Sequence, residues 1–176
     1  SFHGHWCEKL GYAPHGKKNL VKYPDKSVWE EETLGRLQKW GFNMLGAGCD
    51  HQLQYRGLIH TVFINIGDSF TRLEGDYQIT PNENRPCSAF PNVFHPDFED
   101  YCRFRARQYC APNRDDPWLF GYFIDNELAW WGRGELQTGL FDAVMQKTAD
   151  HTAKLALRDF LAKHSGNNLE TFNKLW

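Results

Sequence analysis

The sequence has no long hydrophobic run. Its longest apolar stretches, such as residues 58–66, which His60 and Asn65 interrupt, fall far short of the roughly 20 residues a membrane-spanning helix needs. It has no surplus of either charge: 20 Lys and Arg against 22 Asp and Glu give a formal net charge of -2. That balance supplies no broad field for a polyanion and argues against nucleic acid or an anionic membrane as a partner. Cysteine is sparse, with five residues (Cys7, Cys49, Cys87, Cys102, Cys110) and no CxxC pair. Neither a zinc ribbon nor a complete disulfide framework is expected, and buried reduced thiols are. A glycine-rich phosphate loop is missing too. Gly46-Ala47-Gly48 runs on into Cys49-Asp50-His51 with no third glycine and no helix start, which removes the support for a nucleotide fold. Internal repeats and low-complexity segments are also absent. The opening Ser1-Phe2-His3-Gly4-His5-Trp6 has neither a basic n-region nor an apolar h-region, so a signal peptide is expected to be already absent. The compartment stays open, secreted or periplasmic included.

What the chain does have is aromatic side chains: 7 Trp, 7 Tyr and 13 Phe make 15% of its 176 residues. Flat amphipathic rings suit sugar faces and protein cores alike. Hydrophobic residues at 41% and charged residues at 24% are ordinary for a globular domain. At this length folding buries roughly 70% of the unfolded chain's surface, enough for a core without staples.

Ser27 followed by Glu30 reads as a capping box, and Trp29, Leu34, Leu37 and Trp40 supply an apolar side. Together with the stop at Gly41 they predict a helix over about 28–40. Residues 42–48 read as a buried strand. The β-branched run Ile59, Thr61, Val62, Ile64, Ile66 predicts a second strand over 58–66, and 67–94 a long loop of the kind that carries function. A helix is expected from His95-Pro96-Asp97, with Pro96 at its first position, to about Cys110. Residues 118–124, apolar throughout, predict a third strand covered on both faces, as in a parallel sheet. A long helix is expected from about Leu136 through Phe160, and another after Asn168. Helices between apolar strands imply right-handed crossovers and an α/β architecture, either a doubly wound sheet or part of a (β/α)8 barrel.

The sharpest feature is Gly121-Tyr122-Phe123-Ile124-Asp125-Asn126-Glu127, followed by Trp130-Trp131-Gly132. A buried strand runs straight into three polar residues at its C-terminal end, the rim where parallel barrels carry catalytic groups. Glycoside hydrolysis needs a carboxyl able to protonate the leaving oxygen near neutral pH, raised by an apolar surround or a second carboxylate. Glu127, framed by Asp125, Trp130 and Trp131, has candidates for both. Asn126 could hydrogen-bond a sugar 2-hydroxyl, and Trp130 or Trp131 could stack on a sugar face.

The segment resembles the fourth strand of the large clan of retaining (β/α)8 glycoside hydrolases, whose general acid/base is the Glu of an Asn-Glu pair. More narrowly it is similar to family 50 β-agarases and family 42 β-galactosidases. Residues 34–48 resemble their first helix and second strand. Residues 160–176 resemble the segment these enzymes place before a Trp-Gly-Thr motif. The resemblance implies a partial (β/α)8 TIM barrel with about its first four strands. Residues 1–176 are then the N-terminal half of a glycoside hydrolase barrel that needs about 250 residues, cut at Trp176. It also implies a galactose-containing poly- or oligosaccharide substrate, no cofactor and no metal. Its nucleophile would be a Glu at the end of the seventh strand, roughly 5 Å from the acid/base and outside this chain; Glu135 and Glu170, in or beside helices, are poor substitutes. Half a barrel leaves an open edge, so the remainder of the barrel or self-association is the expected partner.

Further residues expected on the same rim are His5 and Trp6 after a first strand, Asp50 and His51 after the second, and Asn65 and Asp68 after the next. Asp50, Asn65 and Glu127 are expected to approach one another. His3 and His5 also resemble the metal pair of amidohydrolase-type barrels, which leaves a metal-dependent alternative. A second alternative is a degenerate barrel that binds glycan through Trp130 and Trp131 without cleaving it. Cys49 beside Asp50 reads as an inert thiol, and Arg103, Arg105 and Arg107 as a solvated helix face.

Overall fold

In the computed structural model, residues 2–73, 75–80, 89–130 and 139–175 are described. In chain order the elements are α1 (Pro14–Lys22), α2 (Lys26–Lys39), β1 (His60–Phe63), α3 (Ile66–Phe70), α4 (Phe98–Tyr109), β2 (Leu119–Phe123), α5 (Leu140–Gln146), α6 (Thr152–His164) and α7 (Leu169–Leu175). They fall into two compact units. One comprises Ser1–Phe63 and Asn113–Phe123, the other Ile64–Pro112 and Ile124–Trp176.

The first unit is built on α2 and the sheet. Its cap is Asp25, whose side chain accepts from the Ser27 amide at 2.9 Å. Asp25 therefore takes the role expected of Ser27, and the helix starts two residues early. The stop at Gly41 is as expected. Gly41, at φ 81°, donates its N–H to the Gln38 carbonyl, and the Phe42 N–H reaches the Leu37 carbonyl, the paired closure of a Schellman motif. Trp29 and Leu34 face inward with Phe2, Tyr23, Leu45, Leu53 and Leu58, and the Trp29 ring meets Phe2 edge-on at 5.3 Å. Trp40 does not join them. It is the C-cap, where the chain leaves the helical path, and it stays exposed.

β1 and β2 pair in parallel. On the other side of β1, Ile59 donates to Asn43 O at 3.0 Å and accepts from Leu45 N at 2.8 Å. The expected strand at 42–48 is thus reduced to a parallel bridge between Met44 and Ile59. The ladder slips between His60↔Leu119 and Thr61↔Gly121, leaving Phe120 without a partner in β1. Phe120 is 74% exposed, and Trp118 and Phe123 are also exposed. The expectation that β2 is covered on both faces is therefore corrected: among the described residues β2 pairs with β1 alone, and none of its five side chains is fully buried. His60 is buried, with Nε2 3.2 Å from Asp116 Oδ2 and its ring edge-on to Tyr55 at 4.6 Å. The other helix of this unit, α1, lies outside the sequence expectations; its signal is Pro14 at the first position.

In the second unit Phe70 is fully buried among the rings of Tyr77, His95, Phe98 and Tyr101, at centroid distances of 4.8 to 6.0 Å. The segment expected to be loop from residue 67 opens with α3 instead. α4 begins at Phe98, with Asp97 rather than His95 at its cap, and ends at Cys110 as expected. The long helix expected from Leu136 is two: α5 stops at Gln146, and His151 restarts α6 by accepting the Ala153 amide on Nδ1 at 3.1 Å. Residues 136–138 of that prediction lie outside the described residues. Asn168 caps α7, its Oδ1 accepting from Thr171 N at 2.9 Å. Ile79, Phe90, Ala143, Val144 and Ala153 form the second core, with Leu128, Leu140 and Leu157 against it.

Candidate functional site

The polar triplet leaves the end of β2 as its spacing predicts. Ile124 O accepts from Ile66 N at 2.8 Å, which ties the chain just past β2 to the chain just past β1. Asp125 and Asn65 are thereby brought to neighbouring strand ends. Asp125 is half-buried, and its carboxylate takes two main-chain amides: Gly67 N on Oδ2 at 2.8 Å and Asp68 N on Oδ1 at 2.9 Å. These are among the amides that α3 leaves without helical partners. The helix is therefore capped from a residue 58 positions away, its own N-cap Asn65 making no side-chain cap bond.

Burial pushes the Asp125 carboxyl above its ordinary value; the two amide bonds and Arg105 oppose that, while the Asp68 carboxylate reinforces it. Arg105 itself donates from Nη2 to the Ile64 carbonyl, and its guanidinium lies 4.4 Å from the Tyr109 ring centroid. The reading of Arg103, Arg105 and Arg107 as one solvated face is corrected here. Arg103 is exposed and pairs with Glu99, whereas Arg105 turns inward. The signal was its helical spacing with Phe98, Tyr101, Cys102 and Tyr109, which places it on their face of α4.

Asn65 and Glu127 share a backbone feature. Both sit in the left-handed region, at φ 51° and φ 48°. Asn adopts it readily, whereas for Glu it costs about 1–2 kcal/mol. Such conformations are held by their surroundings and cluster at functional sites. Glu127 and Asn126 are both exposed. Trp130 is 55% exposed while its ring rests edge-on against buried Phe90 at 4.6 Å. The ring is thus supported by Phe90 and more than half exposed. Trp131 and Glu135 lie outside the described residues.

The other predicted residues are less engaged. His5 and Trp6 are exposed in the first unit. Asp50, in the same unit, is half-buried and accepts the Phe2 amide on Oδ2 at 2.6 Å, so its carboxylate holds main chain. His3 and His51 are exposed, and among the described residues no group of three or more His, Cys, Asp or Glu gathers as metal ligands would. Asp68 pairs with Arg72 at 3.0 Å. Glu170 pairs with Lys174 at 2.8 Å on the exposed surface of α7. Among the described residues Cys7, Cys49, Cys102 and Cys110 are free thiols, and burial pushes Cys49 and Cys102 up, as suits inert thiols.

Comparison with known proteins gives two curated relatives from Vibrio sp. (strain JT0107). β-Agarase B is 26% identical over 106 residues, covering 60% of this chain and 10% of that protein. β-Agarase A is 26% identical over 112 residues, covering 63% of this chain and 11% of that protein. The chain thus spans about a tenth of the length of the relatives it matches. No protein-family model matches, and no solved structure does. The likeness is a distant, partial relation to proteins named as β-agarases.

Proposed function

We propose that this chain contributes the acid/base half of a retaining glycoside hydrolase acting on a galactose-containing poly- or oligosaccharide. Glu127 protonates the glycosidic oxygen and then activates water, Asn126 bonds the sugar 2-hydroxyl, and the exposed Trp130 side chain stacks on a sugar ring. The chain forms about the first four strands of a (β/α)8 barrel, and a Glu nucleophile is supplied from outside it, in the remainder of the barrel. The observation that carries this reading is the exposed Asn126-Glu127 pair just past a parallel strand, with Glu127 in the left-handed region. Similarity to two β-agarases supports the substrate class. No cofactor is needed, because protonation and nucleophilic attack by carboxyl groups suffice for the reaction.

The test is Glu127→Gln in the polypeptide that carries this chain together with its second carboxylate. General acid catalysis is worth about 10²- to 10⁴-fold, and phenols that leave readily need little of it. Activity on natural glycan should fall by that factor while an activated aryl glycoside is cleaved to its glycosyl-enzyme almost normally, with azide rescuing turnover. Equal loss on both substrates without azide rescue would point instead to a glycan-binding protein that uses Trp130 alone.

A further inference from the structure

Asp125 stands beside the proposed acid/base yet turns its carboxylate onto the main chain at Gly67 and Asp68. On the other flank of Asn65, Arg105 holds the Ile64 carbonyl. The carbonyl before the left-handed Asn65 and the two amides after it are therefore gripped by side chains from α4 and from the chain past β2. Two residues beyond Asp125 lies Glu127, in a conformation its own backbone disfavours.

We propose that Asp125 is a positioning residue. Its grip on the Gly67 and Asp68 amides locks the strand end so that the turn through Asn126 and Glu127 aims the Glu127 carboxyl, and it makes no contact with the sugar. This rests on the reading of Glu127 as acid/base. The physical basis is the geometric tolerance of proton transfer. Released from the clamp, Glu127 relaxes toward an ordinary backbone conformation, and a displacement near 1 Å at a reacting group costs about 10²-fold in rate.

The experiment uses Asp125→Asn, Gly67→Ala, their double variant and Arg105→Lys in the polypeptide bearing both carboxylates. Asn offers one acceptor oxygen where Asp offers two, so one amide is released. Asp125→Asn should lower kcat roughly 10- to 100-fold with KM nearly unchanged, and hydrogen exchange at the Gly67 and Asp68 amides should accelerate. Gly67→Ala, which displaces the Asp125 carboxylate from the far side, should give the same kcat-sided loss. The double variant should be little worse than either single, since both act through one clamp. Arg105→Lys, which keeps the charge but loses the guanidinium's planar fork at the Ile64 carbonyl, should show a smaller loss of the same kind and serves where the larger variants fail to fold. A rise in KM with kcat intact, losses that multiply in the double variant, or unchanged amide exchange would overturn the proposal. Failure of the Glu127 reading shows separately, as equal loss of Glu127→Gln on natural and activated substrates; the exchange and coupling measurements then still decide whether the clamp exists.

Discussion

Gly67 lies so close to Asp125 that a β-carbon on it would stand 2.8 Å from Oδ2 of that carboxylate and 2.9 Å from Cγ of Pro91. The missing side chain at Gly67 is what lets Asp125 reach the main chain. Gly67→Ala should break the carboxylate–amide bond and overpack the turn, at about 1–3 kcal/mol. A urea denaturation midpoint unchanged from wild type would show that the contact is dispensable.

Burial raises the Asp125 carboxyl above its ordinary value, so the folded chain holds this proton more tightly than the unfolded chain does. Its contribution to stability is therefore most favourable in acid. It falls as pH climbs from the ordinary aspartate value, about 3.9, through the raised folded value, and is level above that. Asp125→Asn removes the slope. Across that window the stability of wild type relative to Asp125→Asn should decline; a relative gain with rising pH would contradict the assigned direction.

The two left-handed residues should respond oppositely to substitution. Glu127→Asn places a residue tolerant of φ 48° and should raise stability by up to about 1 kcal/mol while removing the acid. Asn65→Val, at φ 51°, should lower stability by about 1–2 kcal/mol, because a β-branched residue resists that conformation. Thermal and chemical denaturation of both variants check the pair.

Trp130 and its support Phe90 should separate binding from folding. Trp130→Ala removes a ring that is 55% exposed. It should weaken oligosaccharide binding several-fold, about 1 kcal/mol for an aromatic contact, with modest change in stability. Phe90→Ala, 9% exposed in the wild type, should destabilise by about 3–5 kcal/mol. Calorimetric titration with agaro-oligosaccharides, paired with denaturation, reads the two effects. Binding untouched by Trp130→Ala removes that ring from the site.

Much of the local structure was legible in the residues. β2 followed from an apolar run between turn signals, the end of α2 from Gly41, and the start of α7 from Asn168. The parallel direction of β1 and β2 followed from apolar runs separated by long connections. Each of these rests on propensities or caps that act within a few residues. The same locality explains the small errors. Asp25 and Ser27 are both good caps two positions apart, and which one serves depends on where the first helical turn settles.

The candidate site divides along the same line. That Asp125, Asn126 and Glu127 stand at a strand end was readable from the run before them. That Asp125 faces the amides of Gly67 and Asp68, that Arg105 turns inward to a carbonyl, and that β2 leaves Phe120 exposed were decided only by tertiary structure. The partners of Asp125 and Arg105 are backbone groups, which every residue but proline carries in full and no pattern of side chains announces. Exposure of a strand depends on what packs beside it, which its own composition does not record.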